Sequence, residues 1–312
     1  MDNRTYIKTF QILAFSNSTE NYSLLFVVFF LIYTTGVLGN LIIISAVILD
    51  IRLHIPMYIF LCHLSLIDII FTSSTLPKLM DILLSGNNLI TFWQCFTQLY
   101  FFMFAAGTED ILLSCMAYDR YVAICRPLHY HLIMKKKKYI FLLLGTLASG
   151  SLNSIFMTLS IYRFDFCHSN VIHNFFCDIK ALERISCTDT GFNIILYIET
   201  LLLALCPFML SVTSYFKIVQ TVVSIKSTHG RRKAFSTCTS HLTVLLIFYG
   251  TGVLMYMNPA SEEQDLVFSV FYTAVTPMLN PLIYSLRNKE VKGALKRILG
   301  VKIQHYYNNV KR

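Results

Sequence analysis

Three polar side chains lie within long apolar stretches of the sequence, where their oxygen atoms could bind a cation. Asp68, Glu109 and Asn280 each belong to a different stretch. A carboxylate isolated in lipid is costly unless it is protonated, hydrated or paired with a positive charge. If the three side chains meet, they offer the oxygen ligands that a hard cation such as sodium prefers. The alternative is two protonated acids in a hydrogen-bonded core, and sequence spacing does not decide between these interpretations.

Two further motifs could let the molecule switch between conformations. Asp119 and Arg120 are adjacent near the end of an apolar stretch, and opposite charges there can pair with each other or exchange partners. Simple capping of a helix is the alternative. The run from Asn280 to Tyr284 reads Asn-Pro-Leu-Ile-Tyr, and its proline removes one helix hydrogen bond and bends the chain. A purely structural kink would show the same residues.

The elements that must position these residues are membrane-spanning helices. Of the 312 residues, 55% are hydrophobic and 14% are charged, and the mean hydropathy is +0.58, so the chain has more apolar surface than one water-soluble core needs. The apolar residues come in blocks of about twenty residues or more, the length of an α-helix that crosses a bilayer. The sequence therefore predicts an all-α integral membrane protein, a bundle of seven transmembrane helices at about residues 24–49, 57–83, 95–121, 139–162, 192–225, 234–257 and 266–286.

The positive charges predict the orientation of this bundle. Lys and Arg collect after the third, fifth and last spans, and cytoplasmic loops are enriched in these residues. We therefore predict one domain (1–312) with residues 1–23 outside the cell and residues 287–312 in the cytoplasm. Asn3, Asn17 and Asn21 begin glycosylation sequons on the exterior side.

The net charge of +9 does not indicate a nucleic-acid-binding protein. Its basic residues lie beside the ends of the spans, where membrane topology and anionic membrane lipid already explain them. We expect contact with lipid and no contact with nucleic acid.

Four of the nine cysteines, Cys95, Cys167, Cys177 and Cys187, fall at or beyond the outer membrane face. That side is oxidising, which favours disulfides, and four cysteines allow three pairings. A cross-link from the long loop (163–191) to the top of the third span would hold the loop as a lid over the bundle. Free thiols are the alternative.

Two long motifs are the most distinctive features of the chain. The run from Met116 to Cys125 reads Met-Ala-Tyr-Asp-Arg-Tyr-Val-Ala-Ile-Cys, and the run from Lys233 to Leu242 reads Lys-Ala-Phe-Ser-Thr-Cys-Thr-Ser-His-Leu. Further matching segments are Gly39-Asn40, the run from Leu53 to Tyr58, Ser214-Tyr215 and the run from Pro277 to Arg297. In this order the motifs resemble those of the rhodopsin-like G protein-coupled receptors, and within them the vertebrate odorant receptors. The resemblance covers almost the whole chain.

The resemblance implies a function and roles for particular residues. It implies an odorant receptor in the plasma membrane of olfactory sensory neurons that activates a heterotrimeric G protein of the stimulatory or olfactory type and raises cyclic AMP. Arg120 would engage the G protein, and Asp119 would restrain it beforehand. The residues implied in coupling and activation are Asp119, Arg120, Tyr121, Tyr215, Asn280, Pro281 and Tyr284. The resemblance also implies the disulfides Cys95–Cys177 and Cys167–Cys187.

The resemblance also places a ligand pocket in the outer half of the bundle, under the long loop. The residues expected to face it are Phe102, Met103, Ala106, Gly107, Glu199, Thr200, Tyr249, Val253, Tyr256 and Thr273. Ordinary packing is the alternative for most of them, because Met and aromatic stripes are common in protein cores.

Glu199 stands apart, because a carboxylate among leucines needs a reason. We hypothesise that it faces the pocket and binds a donor group or a cation on a small, mostly hydrophobic ligand. A hydrogen bond on the loop side, or a partly exposed carboxyl, is the alternative.

Other classes of protein fit the sequence less well. A small-molecule transporter would usually show inverted repeats and broken helices in paired halves, and seven unequal spans show neither. An enzyme is not predicted, because the sequence has no His-Glu-x-x-His, Gly-x-Ser-x-Gly or P-loop pattern. No cofactor is predicted apart from the sodium ion considered above. A non-olfactory chemosensory receptor of the same fold remains an alternative function.

The segment after the last span has its own pattern. Between Lys289 and Leu299 the apolar residues fall on one side, which predicts a short amphipathic helix along the inner membrane surface. A disordered tail is the alternative.

Overall fold

Seven long helices dominate the computed structural model, which describes residues 8–15, 21–167, 169–187, 194, 198–225, 227–256, 262–288, 290–298 and 300. Of residues 200–201, 228–230, 232–237, 262–263 and 285–287 it describes the backbone alone. All seven helices are long and apolar enough to cross a membrane. The seven-span fold is therefore confirmed.

The spans are continuous α-helices except for the fifth and the seventh. The first four and the sixth are Tyr22–Leu49, Pro56–Ser85, Phe92–Cys125, Lys136–Tyr162 and Thr228–Tyr256. The fifth span joins a π-helical segment, Thr200–Leu205, to an α-helix, Cys206–Ser224. The seventh span runs through Glu262–Val270, a π-helical segment Phe271–Val275, and Thr276–Arg287.

Local sequence signals set the ends of the second and third spans. At the start of the third span, Thr91 Oγ1 accepts a hydrogen bond from the Gln94 amide and the Gln94 side chain accepts one from the Thr91 amide, which is a capping box. The second span starts at Pro56, whose missing N–H needs no partner in a first helical turn. It ends at Gly86, whose φ of +73° is left-handed and free of strain for glycine. The capping box lets the third span begin at Phe92, before the predicted residue 95, and the span also runs beyond the predicted residue 121 to Cys125.

The third span lies at the centre of the bundle and packs against the second, fourth and fifth spans. The first, fourth and fifth spans leave most of their apolar stretches unburied. Large apolar side chains such as Leu31, Leu144 and Leu210 are exposed there, as expected for helices at the lipid-facing edge of a membrane bundle.

The outer end of the bundle carries a small β-sheet that the apolar pattern did not predict. Strand β1 (Thr9–Ile12) lies between β2 (Leu89–Thr91), to which it is antiparallel, and β3 (Val171–Ile172), to which it is parallel. Phe10 and Ile12 are almost fully buried, so the sheet fixes the N-terminal segment and the long loop to the bundle.

A helix at residues 290–298 follows the last span, as predicted. Val291 and Ala294 are fully buried, so its apolar side packs against the bundle. Arg297 Nε and Nη2 donate to Asp50 Oδ2 over 2.9 and 2.6 Å. The hydroxyl of Tyr58 donates to Asn288 Oδ1 over 3.2 Å. These contacts attach the tail helix to the cytoplasmic ends of the first and second spans.

The predicted glycosylation sites fall mostly outside the described residues. Asn3 and Asn17 lie there, whereas Asn21 is exposed at the N-terminal cap of the first span. Whether any of the three is glycosylated stays a prediction.

Candidate functional site

A cavity of about 160 Å³ lies among the third, fifth, sixth and seventh spans, beneath the long outer loop. Its lining is mostly apolar, which is usual for sites that bind small molecules. The lining residues are Met103, Ala106, Gly107 and Asp110 on the third span, Ile179 on the loop, Glu199, Leu203 and Ala204 on the fifth span, Phe248, Tyr249, Gly252, Val253 and Tyr256 on the sixth, and Tyr272 on the seventh.

Most of the residues predicted to face a pocket are brought together here. Those that line the cavity are Met103, Ala106, Gly107, Glu199, Tyr249, Val253 and Tyr256. Helical spacing fits those on the third and sixth spans, which share one face of an ordinary α-helix. Glu199 was predicted because a carboxylate among leucines needs a partner. Their contact with a ligand stays a prediction.

Of the other three predicted residues, Phe102 and Thr273 are not part of the lining. The Phe102 ring is fully buried and packs on Phe71 and Phe176, because it lies one position, or about 100°, around the helix from the cavity face. Thr273 is fully buried and donates a hydrogen bond to a carbonyl one turn earlier. For Thr200 the structure describes only the backbone.

Both π-helical segments contribute lining residues that sequence spacing missed. Leu203 and Ala204 belong to Thr200–Leu205, and Tyr272 belongs to Phe271–Val275. A π-helical turn inserts an extra residue and rotates the following side chains, and such turns are frequent at functional sites. A search at the spacing of 3.6 residues therefore cannot find these positions.

Two carboxylates line the cavity, and each has a neutral hydrogen-bond donor as its partner. The Tyr249 hydroxyl donates to Asp110 Oδ1 over 2.5 Å. Asn153 Nδ2, on the fourth span, donates to Glu199 Oε1 over 3.0 Å. Glu199 therefore faces the cavity, and its described partner comes from a neighbouring span. Asp110 was not singled out from sequence because the adjacent Glu109 is also an acid within the span.

Disulfides hold the loop over the cavity. Cys95 and Cys177 form one bridge, with Cα atoms 5.5 Å apart, and Cys167 and Cys187 form the other, with Cα atoms 5.9 Å apart. Gln98 Oε1 also accepts a hydrogen bond from the Cys177 amide over 2.9 Å. These are the pairings implied by the resemblance, and the first ties the loop to the top of the third span.

The loop helix, Ile179–Ile185, forms a lid held by polar contacts. Tyr256 donates to Asp178 Oδ1 over 3.1 Å. Lys180 Nζ and Arg184 Nη2 each contact one oxygen of Asp265 at 2.8 Å. Burial raises the pKa of the Asp178 carboxyl to about 6, although the Tyr256 hydrogen bond and the nearby Lys180 charge act in the opposite direction. The lid is thus fastened to the outer ends of the sixth and seventh spans.

The three polar residues proposed as a cation site meet in the middle of the bundle. Asn280 Nδ2 donates to both oxygens of Asp68 at 3.1 Å and to Glu109 Oε1 at 3.3 Å. Asp68 and Glu109 are fully buried. In the described part of the chain, Glu109 Oε2 and Asn280 Oδ1 have no hydrogen-bond partner. A set of buried oxygen atoms with unused lone pairs fits a hard monovalent cation.

At the cytoplasmic end of the third span, Asp119 is bonded to a neighbouring loop residue. The Tyr130 hydroxyl donates to Asp119 Oδ1 over 2.9 Å. Among the described residues Asp119 forms no ion pair with Arg120, although the two are adjacent. Arg120 is 9% exposed, and its Nε is buried without a hydrogen-bond partner in the described structure. Arg120 therefore keeps a donor nitrogen that no described residue uses.

The other residues implied in activation surround this site. Tyr215 Oη and His241 Nδ1 are 2.8 Å apart, which links the fifth and sixth spans. Tyr284 is fully buried on the seventh span. Lys217 Nζ lies 5.6 Å from the centre of the Tyr121 ring. Each contact joins different elements, so each would change if the inner ends of the spans moved apart.

Pro281 lies within the seventh span and packs against the first span. A Cβ atom added to Gly39 would come within 3.0 Å of Pro281 Cγ. This close approach favours the glycine in Gly39-Asn40, since any Cβ there would displace the proline ring by a few tenths of an ångström.

Comparison with known proteins places the whole bundle in one family. Residues 29–302 match the model of the olfactory receptor family. The chain belongs to this family. The receptor is 44% identical to olfactory receptor 1E16 of Mus musculus over 300 residues, which is 95% of this chain and 96% of that protein. It is 43% identical to olfactory receptor 11L1 of Homo sapiens over an alignment of 314 positions that covers 99% of this chain and 98% of that protein. Olfactory receptor 1 of Rattus norvegicus is 44% identical over 300 residues, and the alignment covers 95% of this chain and 96% of that protein.

Membership of the family gives the two ends of the bundle their functions. The receptor binds an odorant and signals through a G protein, which raises cyclic AMP. It is a multi-pass protein of the plasma membrane in olfactory neurons, and its family is a class of receptors.

Proposed function

We propose that the cavity beneath the lid is the odorant site and that it takes a small, mostly hydrophobic molecule whose polar group contacts Glu199. The observation that supports this most directly is that Glu199 lies on the wall of a mostly apolar cavity that is covered by a disulfide-linked loop. The volume is about 160 Å³. A cavity of about 150 Å³ in another protein holds benzene, so an odorant of about the size of benzene fills the space.

The hydrogen bonding of Glu199 leaves a contact for the odorant. Asn153 donates to Oε1, and no other described residue donates to the second oxygen. A donor group on the ligand would satisfy that oxygen within a mostly apolar cavity, where an unsatisfied polar group is costly.

The cavity is joined to the spans that must move during signalling. Tyr249 reaches from the sixth span to Asp110 on the third, and Phe248 packs on Tyr272 of the seventh with ring centres 5.7 Å apart. A ligand that contacts these rings differently in two states shifts the equilibrium between them. We propose that the sixth span then moves at its inner end and exposes Arg120 to a heterotrimeric G protein of the stimulatory or olfactory type.

The odorant site is tested by replacing Glu199 with Gln and measuring cyclic AMP against a panel of odorants. Gln keeps the shape of the side chain and removes the charge. We expect a loss of potency of about ten-fold or more for agonists whose donor group reaches Glu199, because a hydrogen bond to a charged group contributes roughly 1.5–3 kcal/mol. Equal potency for every agonist at normal surface expression would exclude Glu199 from binding.

The coupling is tested with Arg120→Ala in the same cells. We expect cyclic AMP production to be lost while odorant binding to the purified receptor is retained. A full response from Arg120→Ala would contradict the proposed role of this arginine.

We also propose that Asp68, Glu109 and Asn280 hold a sodium ion. The unused oxygens of Glu109 and Asn280 support this. Sodium chloride should raise the unfolding temperature of the purified receptor above that in an equal concentration of choline chloride. Asp68→Asn, which removes one charge from the cluster, should abolish the difference. An unfolding temperature that is the same in both salts would contradict the sodium site.

A further inference from the structure

The cavity has negative side chains and no positive ones among the described residues that line it. Among the described residues of the lining, Asp110 and Glu199 carry ionisable side chains and none is Lys, Arg or His. Their described partners, Tyr249 and Asn153, are neutral. A carboxylate out of water is costly unless a positive charge lies nearby. The described part of the lining therefore supplies no positive charge to balance these two acids.

Each carboxylate also keeps one oxygen available. Asp110 is 5% exposed, and of its two oxygens only Oδ1 accepts a hydrogen bond from a described residue. Glu199 likewise uses Oε1 alone. Because both residues line the cavity, these oxygens are within reach of a molecule bound there.

The two acids lie at different depths. Asn153, which binds Glu199, is the residue nearest to a Cβ atom built on Gly107, at 3.9 Å. Asp110 follows Gly107 by three residues, which is about 4.5 Å further along the helix axis toward the cytoplasm. Glu199 is thus the outer acid and Asp110 the inner one, close to Tyr249.

We infer that the receptor recognises aliphatic amines, which carry a positive ammonium group at neutral pH. The ammonium group binds Asp110 at the inner end of the cavity, and its hydrocarbon chain lies against Met103, Phe248 and Val253. Glu199 binds a second donor at the outer end, so a short terminal diamine is preferred over a monoamine of equal length. This inference rests on the proposed odorant site, and it specifies the chemical class that the site accepts.

A neutral ligand is the competing explanation. If the two carboxyls were protonated, they would donate hydrogen bonds and favour the carbonyl group of an aldehyde. Matched compounds separate the two cases, because the amine, the alcohol and the aldehyde of pentane have nearly the same size and differ in charge and in hydrogen bonding.

The experiment measures cyclic AMP in cells that express the full receptor, with pentylamine, pentanol, pentanal and the terminal diamine of pentane. We expect pentylamine to be at least about ten-fold more potent than pentanol or pentanal, because hydrogen bonds to charged groups are the stronger ones. The diamine should be about ten-fold more potent again, because its second ammonium group contacts Glu199. Equal or greater potency of the alcohol or the aldehyde would overturn the inference, and this comparison needs no variant.

Two variants locate the contacts, and a third is the control. Asp110→Asn should reduce the potency of both amines by about ten-fold or more, whereas Glu199→Gln should remove only the advantage of the diamine. Glu183→Gln removes an acid of the loop helix that does not line the cavity, and it should leave all four potencies unchanged. An Asp110→Asn receptor at normal surface expression with unaltered amine potency would contradict the assignment.

A binding measurement on the purified receptor separates this inference from the proposed function. Pentylamine should raise the unfolding temperature, and pentanol at the same concentration should not. If the amine stabilises the receptor but evokes no cyclic AMP, the inference holds and the proposed coupling fails. If neutral odorants evoke cyclic AMP and amines neither bind nor signal, the inference fails and the odorant site stands.

Discussion

Tyr256 donates a hydrogen bond of 3.1 Å to Asp178 and so joins the outer end of the sixth span to the start of the loop helix. Tyr256 also lines the cavity. The Tyr256 side chain therefore contacts both the cavity and the lid above it. Because Asp178 is 2% exposed, its charge depends on whether the lid is closed.

The stability of the closed lid should depend on pH through Asp178. Burial raises the pKa of this carboxyl from 3.8 to about 6, while Tyr256 and Lys180 lower it in part. In an open or unfolded state the carboxyl would be in water with its ordinary pKa, so the closed lid binds the proton more tightly. Asp178 therefore contributes most to the stability of the closed lid below pH 3.8, and this contribution is lost as the pH rises to about 6.

The difference in unfolding temperature between the wild type and Asp178→Asn tests this sign. As the pH rises from about 4 to about 6, the unfolding temperature of the wild type should fall relative to that of Asp178→Asn, since Asn does not titrate. Above that range the difference should stay constant. Tyr256→Phe removes a hydrogen bond that favours the charged form, so it should raise the pKa and move the change to higher pH. A difference that is constant over the whole range would show that Asp178 does not control the lid.

Tyr130→Phe should raise the activity of the receptor without odorant. The Tyr130 hydroxyl holds Asp119 at 2.9 Å, beside the partly unsatisfied Arg120. Loss of one hydrogen bond to a charged group costs roughly 1.5–3 kcal/mol, so basal cyclic AMP should rise by several-fold if the bond exists only in the resting state. Tyr33→Phe is the control, because Tyr33 loses an equivalent hydroxyl contact, to Ser73, far from this site. Basal activity that is the same in both variants would place Tyr130 outside the switch.

The apolar pattern predicted the spans well because the bilayer imposes a length on every helix that crosses it. The third span is an example, since the predicted 95–121 lies wholly within Phe92–Cys125. The ends were less predictable, because polar caps such as Thr91 with Gln94 extend a helix without adding any apolar residue. The strand Thr9–Ile12 was missed because its pairing partners are about 80 and 160 residues away along the chain.

The candidate site was predictable where the helix repeat is regular. Met103, Ala106 and Gly107 share a face that an ordinary helix presents to the cavity. Tyr272 could not be found in this way, because the π-helical segment that contains it changes the repeat. Asp110 was missed for a different reason. Its neighbour Glu109 points to Asn280 instead. Helix geometry turns adjacent side chains about 100° apart, but the sequence does not show which of the two acids faces the cavity.

Asp50→Asn should release the tail helix from the bundle. Arg297 contacts Asp50 through two nitrogens, and its hydrogen bond lowers the pKa of the Asp50 carboxyl. The pair therefore stabilises the attachment of the tail helix above pH 3.8, and this stabilisation is lost as the pH falls below that value. A spin label at Gly300 should become more mobile in Asp50→Asn at neutral pH. Asp81→Asn, which breaks the outer pair with Lys78, is the matched control, and equal mobility in both variants would contradict the attachment.

Two glycines of the fourth span should respond in opposite ways to replacement by Ala. A Cβ atom on Gly145 meets nothing within 4 Å, whereas one on Gly150 would come within 3.2 Å of the backbone nitrogen of Thr108 on the third span. Gly145→Ala should stabilise the receptor by about 0.5–1 kcal/mol, because Ala loses less backbone freedom in a helix. Gly150→Ala should destabilise it by about 1–3 kcal/mol, because a backbone atom cannot move aside without moving its helix.

The Gly150 substitution should also weaken the response to odorant. Thr108 lies next to Gly107, which lines the cavity, so any shift of the third span moves the cavity wall. Unfolding temperature and agonist potency, measured on the same two variants, test both effects. If Gly150→Ala behaves like Gly145→Ala in both measurements, then the third and fourth spans do not pack as closely as Gly150 and Thr108 require. If stability falls and potency is unchanged, the contact supports the bundle but does not set the shape of the odorant site.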